Sequence, residues 1–527
     1  MSRPTVAQAR AWDPEALSRL AASWDDAARR LVADTESAAG AVERSREHWT
    51  GAAADAARRQ ADRVAADAAR AARVLIAASV AALDGAEQIA VARRQVLALV
   101  DAAARDGLPV SDNGTVLADS DPQPLLTMLA GGDPSAAAEM LRSRARRLSV
   151  DIGDALRRLG DADLDTAADI AAAFATASAP ASGPASTVPA GAWTASQVVD
   201  AWPRMGQDRI AAQVAAMTPQ QRDQLVAEFP GQVGNTDGVP WTMRSRANRV
   251  NLAAAILSED GRDEGSRRRL AVYRDLLGEV DDPAGAGGRI QRQIIAFDPE
   301  RASLVELNGD LSTARAVAVL VPGVNTTMDG SAANTATARR FVSGSRGEVA
   351  MITYLGGPFP QVDDPTDVWR HAADPRYALD MAPRLVAFSE DVERTVAPGI
   401  PVTVIGHSYG GSIVGTAETL GLTSDRTLFL AAAGAGVGVD DPSDWRNRNP
   451  DVLRYSMTAP GDFIELVQGI RGGPHGADPD TMPGVTVLGT GRYDDGGPVA
   501  GWGAHSGMLN RPSDAWRTIL AVIAGDS

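Results

Sequence analysis

Hydrophobic positions in the first hundred residues recur every three to four places. Leu17, Leu20, Trp24, Ala27, Leu31, Ala38 and Val42 form one such stripe, the spacing that gathers side chains on one face of a helix. Asp13-Pro14-Glu15 opens it with an acidic N-cap and a proline at the first helical position. Beyond Trp49-Thr50-Gly51 the spacing resumes with Ala57, Ala61, Val64, Ala68, Ala71, Leu75, Ala78, Ala82, Ile89, Val96 and Val100. Two long helices joined at a tight turn fold back antiparallel, and alanines let their axes approach closely. Pro109–Val116 reads as a hairpin around Asn113-Gly114 with a two-residue type I′ turn. Helical spacing then returns from Pro134 to Phe174.

Residues 178–191 are a Pro/Ser/Ala/Gly linker with nothing to bury. From Trp193 to Glu279 the signals are helical again, and then the period changes. Short runs rich in branched residues occur at Arg292–Phe297, Ala302–Leu307, Ala316–Val321, Val349–Tyr354, Val402–Ile405, Thr427–Ala431, Val452–Met457 and Val485–Leu488. Several are continuously apolar, as strands buried on both faces are, and helical patterns separate the later ones. The alternation predicts an α/β fold with a mostly parallel sheet and flanking helices, preceded by an all-α helical-hairpin domain. The expected boundaries are 1–177 for the hairpin domain, 178–191 for the linker, 192–288 for a helical preface or lid, and 289–527 for the α/β domain.

Composition narrows the chemistry. All 51 basic residues are arginine, cysteine is absent, and histidine occurs five times, at His48, His371, His407, His475 and His505. Lysine Schiff bases, lysine-anchored phosphate clamps, thiol nucleophiles and cysteine-ligated metals are therefore excluded. A formal charge of −16 argues against nucleic-acid binding, because no broad excess of cations can replace counterions. No run reaches the roughly 18 apolar residues that span a bilayer, so no transmembrane segment is expected. The N-terminus lacks the apolar stretch of a signal peptide. The expected location is the cytoplasm, or outside the cell by a route without a signal peptide.

Val402–Val414 contains Gly406-x-Ser408-x-Gly410, preceded by a strong strand and followed by a helix-compatible run. A serine at a strand–turn–helix elbow is held in a strained conformation that projects its hydroxyl, and flanking glycines relieve the crowding. Serine is a poor nucleophile until a base takes its proton, so a histidine and an orienting carboxylate are needed. On such sheets they follow in the order acid, then histidine, after later strands. Asp462, in the turn after Val452–Met457, and His505, on the loop before the last helix, fit those places. Asp440, Asp441, Asp494 and Asp495 are other loop carboxylates, and His475 is the rival base, one strand too early. Asp494-Asp495 beside His505 lacks metal-ligand spacing, and no metal or cofactor is implied. For a developing oxyanion, one donor would be the backbone N–H of Tyr409. The other would come from the turn Val321-Pro322-Gly323-Val324-Asn325, from either Val324 or Asn325.

Two resemblances follow. The helix, Trp49-Thr50-Gly51 turn and second helix, over Ala11–Arg105, resemble the WXG-type proteins exported by type VII secretion, which implies export by that route and a helical partner for the hairpin. The Tyr-x-x-x-Asp/Glu tail signal of such proteins occurs at none of the six tyrosines. Gly309-Asp310, Val-Pro-Gly-Val-Asn-Thr-Thr, Gly-His-Ser-Tyr-Gly-Gly, the Ala-Pro-Gly-Asp turn and the final Ala-His-Ser resemble an actinobacterial α/β-hydrolase family known as a domain of unknown function. Gly234-Asn-Thr-Asp-Gly-Val-Pro and Arg246-Ala-Asn-Arg249 are similar to the helical region that precedes that domain. The resemblance implies a triad of Ser408, Asp462 and His505. The expected activity is hydrolysis of a small-molecule or lipid ester, such as a cell-envelope ester.

Overall fold

The computed structural model describes residues 3–118, 133–175, 194–285, 287–362, 373–468 and 473–526. The proposed linker and His371 lie outside them. The chain forms two compact units, Met1–Thr187 with Ala253–Asp260, and Val188–Leu252 with Gly261–Ser527.

The first unit is helical: α1 (Val6–Ala11), α2 (Pro14–Arg44), α3 (Ala52–Arg105) and α4 (Pro134–Ala175). Asp13 caps α2 by accepting the Glu15 N–H, with Pro14 in the first turn. Small residues bring α2 onto α3: Ala21 and Ala28, one heptad apart, are buried, and Ser79 Oγ donates to the Ala21 carbonyl at 2.9 Å. The larger residues of the expected α2 stripe flank this seam, and Leu20 is exposed. The main core lies at the other end of α3, where Ile89, Val96 and Val100 meet Leu148, Ile152, Leu156 and Leu159 of α4. At the α2–α3 turn Trp49 is 44% exposed, so it does not pack the corner.

One expectation is corrected here. Gly114 alone in the 109–116 turn takes a positive φ (87°), and its N–H donates to the Ser111 carbonyl. That is a type I turn closed by a left-handed glycine, not type I′, which needs Asn113 at positive φ as well. Asp112 is thereby freed to accept the Val6 and Ala7 N–H groups that open α1. Among the described helices α3 alone is long and apolar enough, by length and composition, to cross a membrane, and half of its most apolar window is buried within the protein. Alanine supplies both the apolar character and the close helix packing.

The second unit begins with α5 (Ala195–Ala201), α6 (Gln207–Ala215), α7 (Pro219–Glu228), α8 (Pro230–Asn235), the part of α9 (Trp241–Ser258) up to Leu252, and α10 (Glu264–Leu277). A two-stranded ribbon follows, β1 (Glu279–Asp281) with β2 (Arg289–Gln291). The main sheet has eight strands: β3 (Gln293–Asp298), β4 (Ser303–Asn308), β5 (Ala316–Val321), β6 (Val349–Leu355), β7 (Val402–His407), β8 (Arg426–Leu430), β9 (Leu453–Met457) and β10 (Val485–Val487). Their spatial order is β10-β9-β8-β7-β5-β6-β4-β3. All neighbours are parallel except β3–β4 and β4–β6. The eight strands coincide with the eight runs read from the sequence. Every residue of β5 is buried, because α11 (Ala332–Gly344) and α16 (Asp514–Ala524) cover one face of the sheet while α12 (Arg376–Thr395) and α13 (Tyr409–Thr419) cover the other. α14 (Glu465–Gln468) and α15 (Ala504–Asn510) are short.

The helical preface caps the β3 edge. Asn235 accepts the Phe297 N–H and donates to the Phe297 carbonyl, as a neighbouring strand would. Asn248 donates to the Ile294 carbonyl and Arg244 to that of Ile295, at a β3 bulge. β3 lies four strands from β7, roughly 19 Å across the sheet at ~4.8 Å per strand, so these bonds anchor α8 and α9 at the edge of the sheet distant from β7. Buried Arg244 also binds Asp237 at 2.8 Å and buried Asp391 of α12 at 2.9 Å, while Asp391 accepts from Trp241 and the Gly238 N–H. Arg244→Met should therefore leave Asp391 buried without its closest guanidinium. Asp391 would keep Arg394, at 3.2 Å, and loss of one partner from a buried charged hydrogen bond costs about 1–3 kcal/mol, measurable as a lower urea midpoint for the full chain; an unchanged midpoint would contradict this account.

Candidate active site

The chain runs from β5 to β6 on one side and returns to β7 on the other, so the order reverses between β5 and β7. At such a switch point the loops leaving the carboxyl ends diverge and open a crevice. Ser408 follows β7 directly, with φ 56° and ψ −123°, a left-handed backbone that costs a non-glycine residue on the order of 1–3 kcal/mol. Its N–H donates to the Leu430 carbonyl at 3.0 Å, and its carbonyl accepts from Ala433 at 2.9 Å and Gly411 at 3.0 Å. These bonds fix the turn.

Contact of backbone with backbone explains the surrounding glycines. A Cβ on Gly410 would stand 2.1 Å from the Val321 oxygen, and one on Gly406 2.6 Å from Gly411 Cα. A Cβ on Gly415 would stand 1.8 Å from the Ala435 oxygen. α13 thus lies directly on the loops leaving β5 and β8. The motif reading singled out Gly406 and Gly410 but missed Gly411 and Gly415. Their four-residue spacing on one helix face was the available signal.

His505 and Asp462 are brought together. The His505 Nδ1 lies 3.0 Å from both Asp462 carboxylate oxygens, and both residues are buried. Asp462 sits in the turn after β9, its carboxylate also accepting the Ile464 N–H. His505 is the second residue of α15, not a loop residue as expected. Gly501 ties the approach to this helix to the Asp462 turn by donating to the Pro460 carbonyl at 2.8 Å. With Nδ1 engaged, Nε2 is the free nitrogen. Among the described residues Ser408 Oγ makes no hydrogen bond to it; such bonds often tighten only when substrate binds.

The structure separates the two proposed loop donors. Asn325 has φ 61°, its N–H donates to the Pro360 carbonyl at 2.9 Å, and its side chain pairs with the Val362 backbone. Val324 N–H has no partner among the described residues. Gly323 brings this loop against the serine: a Cβ there would stand 2.6 Å from Ser408 Cβ. Tyr409 heads α13 and so has an N–H free of intrahelical bonding.

Residues 298–470 match a family described as alpha/beta hydrolase. The C-terminal part of the chain carries an α/β-hydrolase domain. The Mycobacterium tuberculosis relatives, "Uncharacterized protein Rv2079" and "Uncharacterized protein MT2140", are each 29% identical over 267 residues, 42% of this chain. The match covers 38% of the length of those relatives. Among solved structures, TT1662 from Thermus thermophilus is 15% identical, with a TM-score of 0.26 over 44% of this chain and 99% of its own. The dienelactone hydrolase-like promiscuous phosphotriesterase P91, from metagenomic libraries, is 16% identical, with a TM-score of 0.26 over 47% and 96%.

The other candidate residues of the α/β-hydrolase domain go elsewhere. His475 is buried with Nδ1 2.9 Å from Ser412 Oγ and its ring edge-on to Tyr409, away from Asp462. Asp441 caps a short turn, Asp440 is exposed, and Asp494 and Asp495 pair with Arg517 and Arg511. His48, in the helical unit, is exposed. A cavity of about 160 Å³ is lined by Pro322, Asn334, Thr337, His407, Ser506 and Leu509 among others, the chain neighbours of Ser408 and His505 but not those two residues.

His407 has a role that the sequence did not reveal. Its Nε2 lies 2.8 Å from the His505 carbonyl oxygen and must donate to it, the single described hydrogen bond that joins the elbow to α15. Burial, then the neighbouring His505, pushes its pKa down to about 3. The unfolded chain therefore takes up a proton near pH 6.5 that the folded protein refuses, and stability must rise with pH between these values. His407→Phe, which keeps a ring but cannot titrate, should flatten the loss of urea stability from pH 6.5 to 4 by up to about 1 kcal/mol per pH unit. Parallel pH profiles for the two proteins would contradict it.

Proposed function

We propose that the α/β-hydrolase domain is a serine hydrolase of carboxylic esters. Ser408 is the nucleophile, His505 the base and then the acid, and Asp462 the group that holds the imidazole tautomer. The observation that carries this reading is the buried His505–Asp462 pair, tied through the His505 carbonyl to His407, the residue before the strained serine. Asp462 fixes the proton on Nδ1 and leaves Nε2 as the basic nitrogen. Nε2 takes the Ser408 proton as Oγ attacks the ester carbonyl carbon. The oxyanion is met by the N–H groups of Tyr409 and Val324. Collapse breaks the bond to the alkoxy oxygen, which leaves with the proton from Nε2–H, and the acyl group stays on Oγ. Water, deprotonated by His505, then releases the acid.

Labelling with a fluorophosphonate probe tests the assignment. Ser408→Ala should abolish labelling, and His505→Ala should slow it by about a thousandfold or more. His475→Ala should stay within about tenfold of the wild type. Labelling that does not depend on Ser408 would overturn the reading; loss in His475→Ala with retention in His505→Ala would overturn the choice of base.

A further inference from the structure

Two rings run outward from the imidazole of the proposed base. Phe463 lies against His505 with ring centroids 4.4 Å apart, and Trp502 lies against Phe463 at 5.8 Å. Phe463 is anchored, being partly buried against the hydrophobic core that includes Met457, Ile464 and Met508. Trp502 is 74% exposed, more than any other large hydrophobic residue described. It stands between Gly501 and Gly503, which have no side chains to cover it. Scattered exposed apolar residues are ordinary, but this one continues an aromatic surface that starts at the imidazole.

The chemistry of the step decides which half of a substrate meets that surface. As the carbonyl–alkoxy bond breaks, Nε2–H of His505 passes its proton to the alkoxy oxygen, while the acyl carbon remains on Ser408 Oγ. The departing oxygen must therefore lie within hydrogen-bond reach of Nε2, and the alcohol half of the ester is the half beside the imidazole. We propose that Phe463 and Trp502 form the alcohol-side subsite, and that the preferred substrates are esters of bulky apolar alcohols. The inference rests on the serine hydrolase reading above. Rigid aromatic faces bind such groups by burying large apolar area at low entropic cost.

The test compares kcat/KM of the full chain on methyl, butyl and benzyl acetate, followed by acid release. All three share the acetyl-enzyme, so kcat/KM reports only the steps through acylation. Benzyl acetate should exceed methyl acetate by about tenfold or more. Trp502→Ala should reduce that ratio to about threefold or less, and Trp502→Phe should keep most of it. A parallel series of methyl acetate, butyrate and hexanoate reads the acyl half, and its ratios should change less than about twofold in Trp502→Ala. Two outcomes overturn the subsite while Ser408-dependent turnover persists: an alcohol ratio unmoved by Trp502→Ala, or a loss confined to the acyl series. Turnover equal in the wild type and Ser408→Ala would instead overturn the parent reading.

Discussion

The α/β-hydrolase domain is organised by one steric demand, a serine held in a left-handed conformation between a buried strand and a helix. Such a turn survives only if its neighbours fix it from every side. Its amide and carbonyl are bonded to the chain leaving β8, and the helix it starts rests on bare backbone. The closeness of α13 to the β5 and β8 loops follows from that demand, and the closeness brings three loops from three adjacent strands to one point. An added methyl at Gly410 or Gly415 would push them apart by backbone collision, for which no rotamer gives relief.

The rest of the site is braced from the same turn. His407 is part of β7 and bonds the backbone of α15, while Gly501 bonds the turn that carries Asp462. The imidazole is thus located by its carboxylate on one side and by two main-chain ties on the other. Groups held in this way need little reorganisation when charge develops. A neutral His407 suits the task, because a second cation beside His505 would oppose its protonation.

Much of this was legible in the chain itself. Strands buried on both faces appear as unbroken apolar runs, so all eight members of the main sheet stood out. The pairing of His505 with Asp462 could be anticipated from their places after the later strands. What stayed hidden depends on partners rather than on pattern. The Asn325 side chain pairs with a distant backbone, and the choice between the two loop donors needed that pairing. Asn113 and Gly114 spell one hairpin turn yet adopt another, in which Asp112 accepts the N–H groups that open α1. On α2 alanine marks the seam, whereas residue size alone would have placed leucine there. β1 and β2 were missed because each has a single apolar residue, Val280 or Ile290, between charged or polar ones, so no apolar run marks them.

The way the preface meets β3 has a consequence for behaviour in a crowded solution. An open sheet edge is a template on which another chain can add a strand. Here the side chains of Asn235, Asn248 and Arg244 take up edge groups that an incoming strand would need. They come from helices, so they complete the edge without presenting a new one. At the opposite edge β10 has only three residues, too short a run to seed stable pairing. The protein can therefore keep a broad, strongly apolar sheet while offering little purchase for intermolecular β-polymerisation.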